Sequence, residues 1–235
     1  MIGAIRRFRW EAREFLWPRR CAGCGIRGTW LCETCAIDPA PWKPEWCARC
    51  GVPTAHGGCR CQDVGVAIDA ARSIGWHEGW IRNGVRLLKY HDERARAVHF
   101  GELMAGAIAD LPRHDVIVAV PLSPQRLRDR GFNQSHELAE TIASGSAIPV
   151  STRIVERTID TPPQVGLPRN QRHQNVQGAF SVVDPDLVRG RSMLIVDDVF
   201  TTGATIGEVA RALKQSGAAR VDAVTVARAG ERHPG

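Results

Sequence analysis

No stretch of this chain approaches the ~18 consecutive apolar residues that a membrane-spanning helix needs, although 43% of its 235 residues are hydrophobic. The opening segment, MIGAIRRFRWEAREFLWP, is too charged to contain a secretory apolar region, so a soluble cytoplasmic protein is expected. No internal repeat is visible beyond a set of cysteine knuckles. No Gly-Lys-Ser/Thr ends the glycine-bearing turn at 201–205, which excludes a triphosphate-binding loop there. A basic surplus is missing from most of the chain. Residues 63–235 hold 21 Lys/Arg against 20 Asp/Glu, whereas residues 1–62 hold ten against five. That N-terminal excess of about +5 falls to about +1 if eight thiolates hold two Zn²⁺, which adds minus eight and plus four. Net charge therefore gives little support to a nucleic-acid partner.

Cysteine is absent outside residues 21–61, where all eight occur. Cys21/Cys24, Cys32/Cys35 and Cys47/Cys50 are spaced C-x-x-C, and Cys59/Cys61 are separated by one residue. A C-x-x-C turn sets two thiolates on one side of a tight knuckle. Gly25 and Gly51 follow two of these pairs, where the backbone twist favours glycine. Two knuckles complete a tetrahedral S₄ zinc shell. The short gap between the first two pairs favours sequential sites, Cys21, Cys24, Cys32 and Cys35 for one ion and Cys47, Cys50, Cys59 and Cys61 for the other. A cross-braced pairing is the alternative, as is His56 in place of one cysteine. An iron–sulfur cluster and disulfides are rival uses, and a cytoplasmic setting argues against disulfides. Shells closed by protein ligands are structural, and metal binding supplies about 10–16 kcal/mol of folding free energy per ion.

Within residues 1–20, Ile5, Phe8, Ala12, Phe15 and Leu16 lie near helical spacing opposite Arg6, Arg9 and Arg13, and Pro18 follows. This predicts an amphipathic helix, packed on its own domain or lying on a membrane surface or partner. The cysteine module over 21–62 comes next, and the texture changes at Asp63. Strands are expected at 66–77, 115–120, 149–155, 180–183, 192–196 and 221–227. Helices are expected at 79–90, 94–110 and 133–144, with a further one carried by Ile206, Val209, Ala210 and Leu213 and closed by Gly217. Strands alternating with helices give an α/β fold with a mostly parallel sheet over 63–235. Residues 160–175 are rich in Pro, Gln and Arg without periodicity, as in a functional or disordered loop.

The stretch MLIVDDVFTTGAT, Met193 to Thr205, is the most informative. A buried apolar strand ends in two adjacent acids, then a hydroxyl-rich turn opens a helix. In an open α/β sheet ligands bind beyond the carboxyl ends of the strands. There Asp197 and Asp198 can accept hydrogen bonds from vicinal sugar hydroxyls. The following turn, Thr201, Thr202, Gly203, Ala204 and Thr205, offers free N–H groups, hydroxyls and a helix dipole to an anion. A diol acceptor about one ribose away from a phosphate cradle describes a 5-phosphoribosyl group. The rival is an ordinary helix start, where Asp and Thr serve as caps.

VDDVFTTGAT resembles the PRPP-binding signature of type I phosphoribosyltransferases. With the eight knuckle cysteines, LLKYH at 87–91, VPLSPQRLRDRGFNQ at 120–134 and TPPQVGLPRNQRHQNVQGAF at 161–180, essentially the entire chain resembles the ComF family, the competence protein F group. The resemblance implies a type I phosphoribosyltransferase domain behind a double zinc ribbon. It implies Mg²⁺-dependent PRPP chemistry in which Asp197 and Asp198 are the catalytic pair, and a link to DNA uptake. It also implies a pyrophosphate-binding loop at PLSPQRLRDR, with Arg126 and Arg130 as donors, and a lid carrying Gln164 and Arg172. Asn133 or Ser135 would then cap a helix, and Lys89 is either a site residue or a surface lysine. Implied partners are PRPP, single-stranded DNA, a competence helicase or a second copy of the chain. Trp30, Trp42 and Trp46 among the ribbons are either base-stacking platforms or filling for a small metal module. The acceptor of any transferred ribosyl group is not legible, and the chain has no room for a glutaminase domain to supply ammonia.

Overall fold

The computed structural model describes residues 19–37, 41, 45–53, 61–90, 93–159 and 174–230. The expected N-terminal helix, Trp42, His56, Cys59, Gln164 and Arg172 lie outside them. Two four-residue helices, α1 (Glu33–Ala36) and α2 (Cys61–Val64), belong to the cysteine module. The α/β part then runs β1 (Ala70–Trp76), α3 (Gly79–Tyr90), α4 (Arg96–Ala107), β2 (Val116–Ala119), α5 (Pro124–Arg130), α6 (Gln134–Ser146), β3 (Val150–Ser151), β4 (Val155–Arg157) and β5 (Phe180–Val182). It closes with β6 (Ser192–Phe200), α7 (Ala204–Gln215) and β7 (Arg220–Arg228). Among the described residues no helix is long and apolar enough to cross a membrane.

Five strands form a wholly parallel sheet in the order β1-β7-β6-β2-β3. The central strands are unbroken apolar runs because both their faces are covered. Along β6, Met193 and Ile195 join one core and Leu194 and Val196 the other. The first core takes Ile206, Val209, Ala210 and Leu213 of α7, the four residues whose spacing predicts that helix. The second takes Trp80, Ile81, Val85 and Leu88 of α3 with Phe100 and Met104 of α4 and Leu138 of α6.

Three expectations change. The strand expected at 149–155 is two: β3 joins the main sheet, and β4 pairs antiparallel with β5 as a separate ribbon. The chain turns between them, where the Arg153 N–H donates to Ser151 Oγ at 3.3 Å. Next, PLSPQRLRDR is mostly helix. Ser123 caps it, Pro124 starts it, and Gly131 at φ 76° ends it, so Ser-Pro here is a helix start. Last, β6 continues through both aspartates to Phe200, held by register partners on β7 up to Phe200↔Arg228.

The cysteine module is fastened to the sheet by three buried arginines. Arg72, Arg96 and Arg228 are 2%, 0% and 1% exposed. Arg96 lies over the Trp30 ring at 4.7 Å, donates to the Arg20 and Trp30 carbonyls, and pairs with Glu93. Arg72 lies over Trp46 at 5.4 Å, donates to the Ala48 carbonyl at 2.9 Å and pairs with Asp110 at 2.7 Å. Trp46 Nε1 donates to the same Asp110. Arg228 donates to the Cys50 carbonyl at 2.8 Å. Trp30 and Trp46, both half-buried, therefore help to dock the module. The Cys47–Cys50 knuckle runs so close to β1 that a Cβ on Gly51 (φ +68°) would stand 2.2 Å from the Ala71 carbonyl oxygen.

Candidate functional site

The cysteines gather in two groups, in chain order. The Sγ atoms of Cys21, Cys24, Cys32 and Cys35 all lie within 4.8 Å of one another, as do those of Cys47, Cys50 and Cys61. Cys21–Cys32, Cys24–Cys32 and Cys47–Cys61 are 3.7, 3.8 and 3.6 Å apart. A tetrahedral ion with Zn–S bonds of about 2.3 Å spaces its sulfurs by about 3.8 Å. A disulfide needs about 2.05 Å, far shorter than these spacings. Burial pushes the Cys21 thiol up, but hydrogen bonds from the backbone of Cys24, Cys32 and Gly23 outweigh it and bring it down to about 6. That favours the thiolate a metal ligand must be. These sulfurs fit Zn²⁺, which would cross-link the module, and the four of the first group would close a tetrahedral shell.

Apart from the cysteines, a cleft of about 590 Å³ opens beyond the carboxyl ends of β2 and β6. Topology makes it. β2 stops opposite Val196 and its chain leaves the sheet at Val120, so β6 runs on without a neighbour on that side. Alternation along a strand sends successive side chains to opposite faces, yet Asp197 and Asp198 both line the cleft, where β6 is paired with β7 alone. Thr201, Thr205, Arg126 and Arg130 also line it. Thr202, Gly203 and Ala204 are buried behind the turn, and Thr202 Oγ1 accepts the Ala204 N–H at 3.4 Å. Gly203, at φ 75°, is the residue from which α7 starts. Of the predicted turn, two hydroxyls face the cleft and the rest shapes it.

Both acids already have internal partners. Asp197 Oδ1 accepts from Ser135 Oγ and from the Asp198 N–H, each at 2.9 Å. Lys89 Nζ pairs with Asp198 Oδ1 at 2.8 Å. Asp198 is 5% exposed, and its Oδ2 is buried with no hydrogen-bond partner among the described residues. Such an atom normally has a donor. The lining also holds Lys89, Tyr90, Asp129, Phe132 and Arg157. Four cations against three carboxylates favour an anionic ligand. Arg130 lies over the Tyr90 ring at 5.3 Å and donates to Gln134. Asn133 caps α6, while Ser135 spends its hydroxyl on Asp197.

Asp197 is pushed up to about 7, first by burial in the cleft floor and then by the charge of Asp198. Hydrogen bonds from the Asp198 N–H and Ser135, and the attraction of Lys89, oppose this. A carboxyl raised on folding binds more protons in the native state, so its contribution to stability is full below about pH 4 and is lost as pH rises through about 7. Asp197→Asn keeps an oxygen for Ser135 and removes that loss. At pH 8 the ligand-free variant is expected to melt several degrees above wild type, for a gain of roughly 2 kcal/mol, and the gain should shrink toward pH 4. Equal melting temperatures across that range would contradict the placement of Asp197.

Sequence reasoning missed the cleft roles of Ser135, Tyr90, Phe132, Asp129 and Arg157. Ser135 had a local signal, a hydroxyl in the first turn of a helix after a buried strand. Tyr90 stands beside Lys89 in the LLKYH stretch, whereas Arg157 had no signal, since it reaches the cleft from a distant segment.

A phosphoribosyl transferase domain matches residues 134–234 and a double zinc ribbon domain matches residues 12–65. The DNA utilization protein YhgH of Salmonella typhi is 32% identical over 200 residues, covering 81% of this chain and 87% of its own length. Competence protein F of Haemophilus influenzae is 33% identical over 136 residues, 57% of this chain and 59% of its own. Competence protein ComFC of Bacillus subtilis is 26% identical over 211 residues, 84% of each chain.

Proposed function

The chain belongs to the ComF family, the competence protein F group, with a phosphoribosyltransferase-type domain behind a zinc-ribbon module, and on that premise we propose that it binds PRPP and transfers its ribosyl phosphate to a nitrogenous acceptor. One observation carries this reading. Asp198 Oδ2 is a buried acceptor without a donor, beside Asp197 in a cleft rimmed by Thr201 and Thr205. A ribose diol supplies the donor. The 5-phosphate then meets the N-terminus of the 12-residue helix α7. Arg126 and Arg130 are assigned to the pyrophosphate, and Gln164 and Arg172 to a covering segment. Mg²⁺ accompanying PRPP keeps several of its own waters, so few protein ligands are required.

In the transfer, the C1–O bond to pyrophosphate breaks and its electron pair leaves with pyrophosphate. The acceptor nitrogen's lone pair forms the new C1–N bond, and the acceptor's proton passes to solvent. Positive charge growing on the ribose is stabilised by the carboxylates below it. Calorimetric titration of PRPP with Mg²⁺ into the zinc-loaded full chain is expected to show saturable binding. Pyrophosphate release with a panel of nitrogenous acceptors should identify the second substrate. No heat at millimolar PRPP would end the reading.

The relatives' printed names, DNA utilization protein and competence protein, favour a second reading in which PRPP is bound without turnover and the chain assists handling of single-stranded DNA. PRPP binding with no release for any acceptor, together with salt-sensitive binding of single strands, would select it.

A further inference from the structure

Lys89 stands in the last turn of α3, a helix whose other face is anchored by Trp80, Ile81, Val85 and Leu88. Its side chain is 22% exposed and that of Asp198 7%, so their 2.8 Å contact is shielded from water. A buried carboxylate without a counter-ion is strongly unfavourable, and among the described residues Lys89 is the cation within ion-pair distance of Asp198. Lys89 engages Oδ1 and leaves Oδ2 unpartnered in the cleft. We propose that Lys89 is a positioning residue of the ribose site, the internal partner that holds Asp198 turned so that Oδ2 is the acceptor offered to the sugar diol. Resting on the PRPP reading above, this assigns Lys89 to the diol end of the ligand rather than to the pyrophosphate, the destination a cleft lysine would otherwise be given.

Other charged groups face the pair. His77, beyond the end of β1, feels both Lys89 and Asp198, and burial keeps its pKa low. Arg126, Asp129 and Arg130 on α5 and Arg157 on β4 share the cleft. Lys89 makes the 2.8 Å ion pair with Asp198 that sets the local balance.

The decisive probe is ribose 5-phosphate, which carries the diol and the 5-phosphate but no pyrophosphate. In the zinc-loaded full chain, Lys89→Met is expected to weaken ribose 5-phosphate and PRPP by the same factor, about 10- to 100-fold. It should also move the midpoint of the affinity–pH profile upward, because removing a cation that draws the Asp197 carboxyl down lets it rise further. Lys89→Arg should recover most of the affinity and the midpoint. A loss confined to PRPP would overturn the proposal and place Lys89 on the pyrophosphate. An unchanged profile would reduce it to a packing lysine. If wild type binds neither ligand, the PRPP reading itself fails, and the inference is still decided by a carboxyl carbon-13 titration of the ligand-free protein. An aspartate midpoint near neutrality that rises in Lys89→Met supports the counter-ion role, and one that stays put refutes it. Should Lys89→Met not fold, Lys89→Gln serves in the same titration.

Discussion

Replacing Asp197 and Asp198 together by asparagine is expected to abolish calorimetrically detectable PRPP binding. Each carboxylate accepts charge-assisted hydrogen bonds worth about 1.5–3 kcal/mol, so losing both weakens affinity by about 100-fold or more. The geometry separates the two contributions. Asp198 offers a buried Oδ2 with no donor, whereas Asp197 Oδ1 is already shared by Ser135 and a backbone N–H. The single variant Asp198→Asn should therefore cost more affinity than Asp197→Asn. It also strands Lys89 opposite a neutral amide. The melting experiment on Asp197→Asn provides the control, because that variant is expected to be at least as stable as wild type at pH 8. Undiminished PRPP affinity in the double variant would show that the diol is held elsewhere.

Stripping zinc from the intact protein is expected to lower its melting temperature by more than about 10 °C, in one cooperative transition that includes the sheet. Each structural ion is linked to about 10–16 kcal/mol of folding free energy, and for a chain of this size about 1 kcal/mol moves the midpoint by 2–4 °C. The effect reaches the sheet because of the docking arginines. Arg72, Arg96 and Arg228 are buried and hydrogen-bonded to carbonyls of Ala48, Arg20, Trp30 and Cys50. When the knuckles unfold, all three cations lose acceptors inside the protein, which is strongly destabilising. Scanning calorimetry before and after chelation tests this. Two separate transitions, with the upper one unmoved, would mean that the module and the sheet fold independently.

Much of this architecture is legible in short stretches of sequence. The apolar run of β6, the spacing of Ile206, Val209, Ala210 and Leu213, and the C-x-x-C knuckles each record a local requirement of backbone geometry. So does the hydroxyl-rich turn that opens α7. The split of residues 149–155 between two sheets was not legible, since β propensity reports an extended chain and not the neighbour that receives it. Nor was the docking of Trp30 and Trp46, since stacking and docking ask for the same ring.

The amino-acid order alone thus set the class of fold, the gathering of the cysteines in chain order and the position of an acidic pair before a hydroxyl-rich turn. Only the folded chain decided what those acids touch. Ser135 lies 62 residues from Asp197 along the chain, and Lys89 comes from α3, which follows β1 and packs on β7. They meet at the acids because β2 ends early beside β6 and opens a space that α3 and α6 both reach. Contacts of that kind depend on which strands become neighbours, a property of the whole sheet that no window of residues carries.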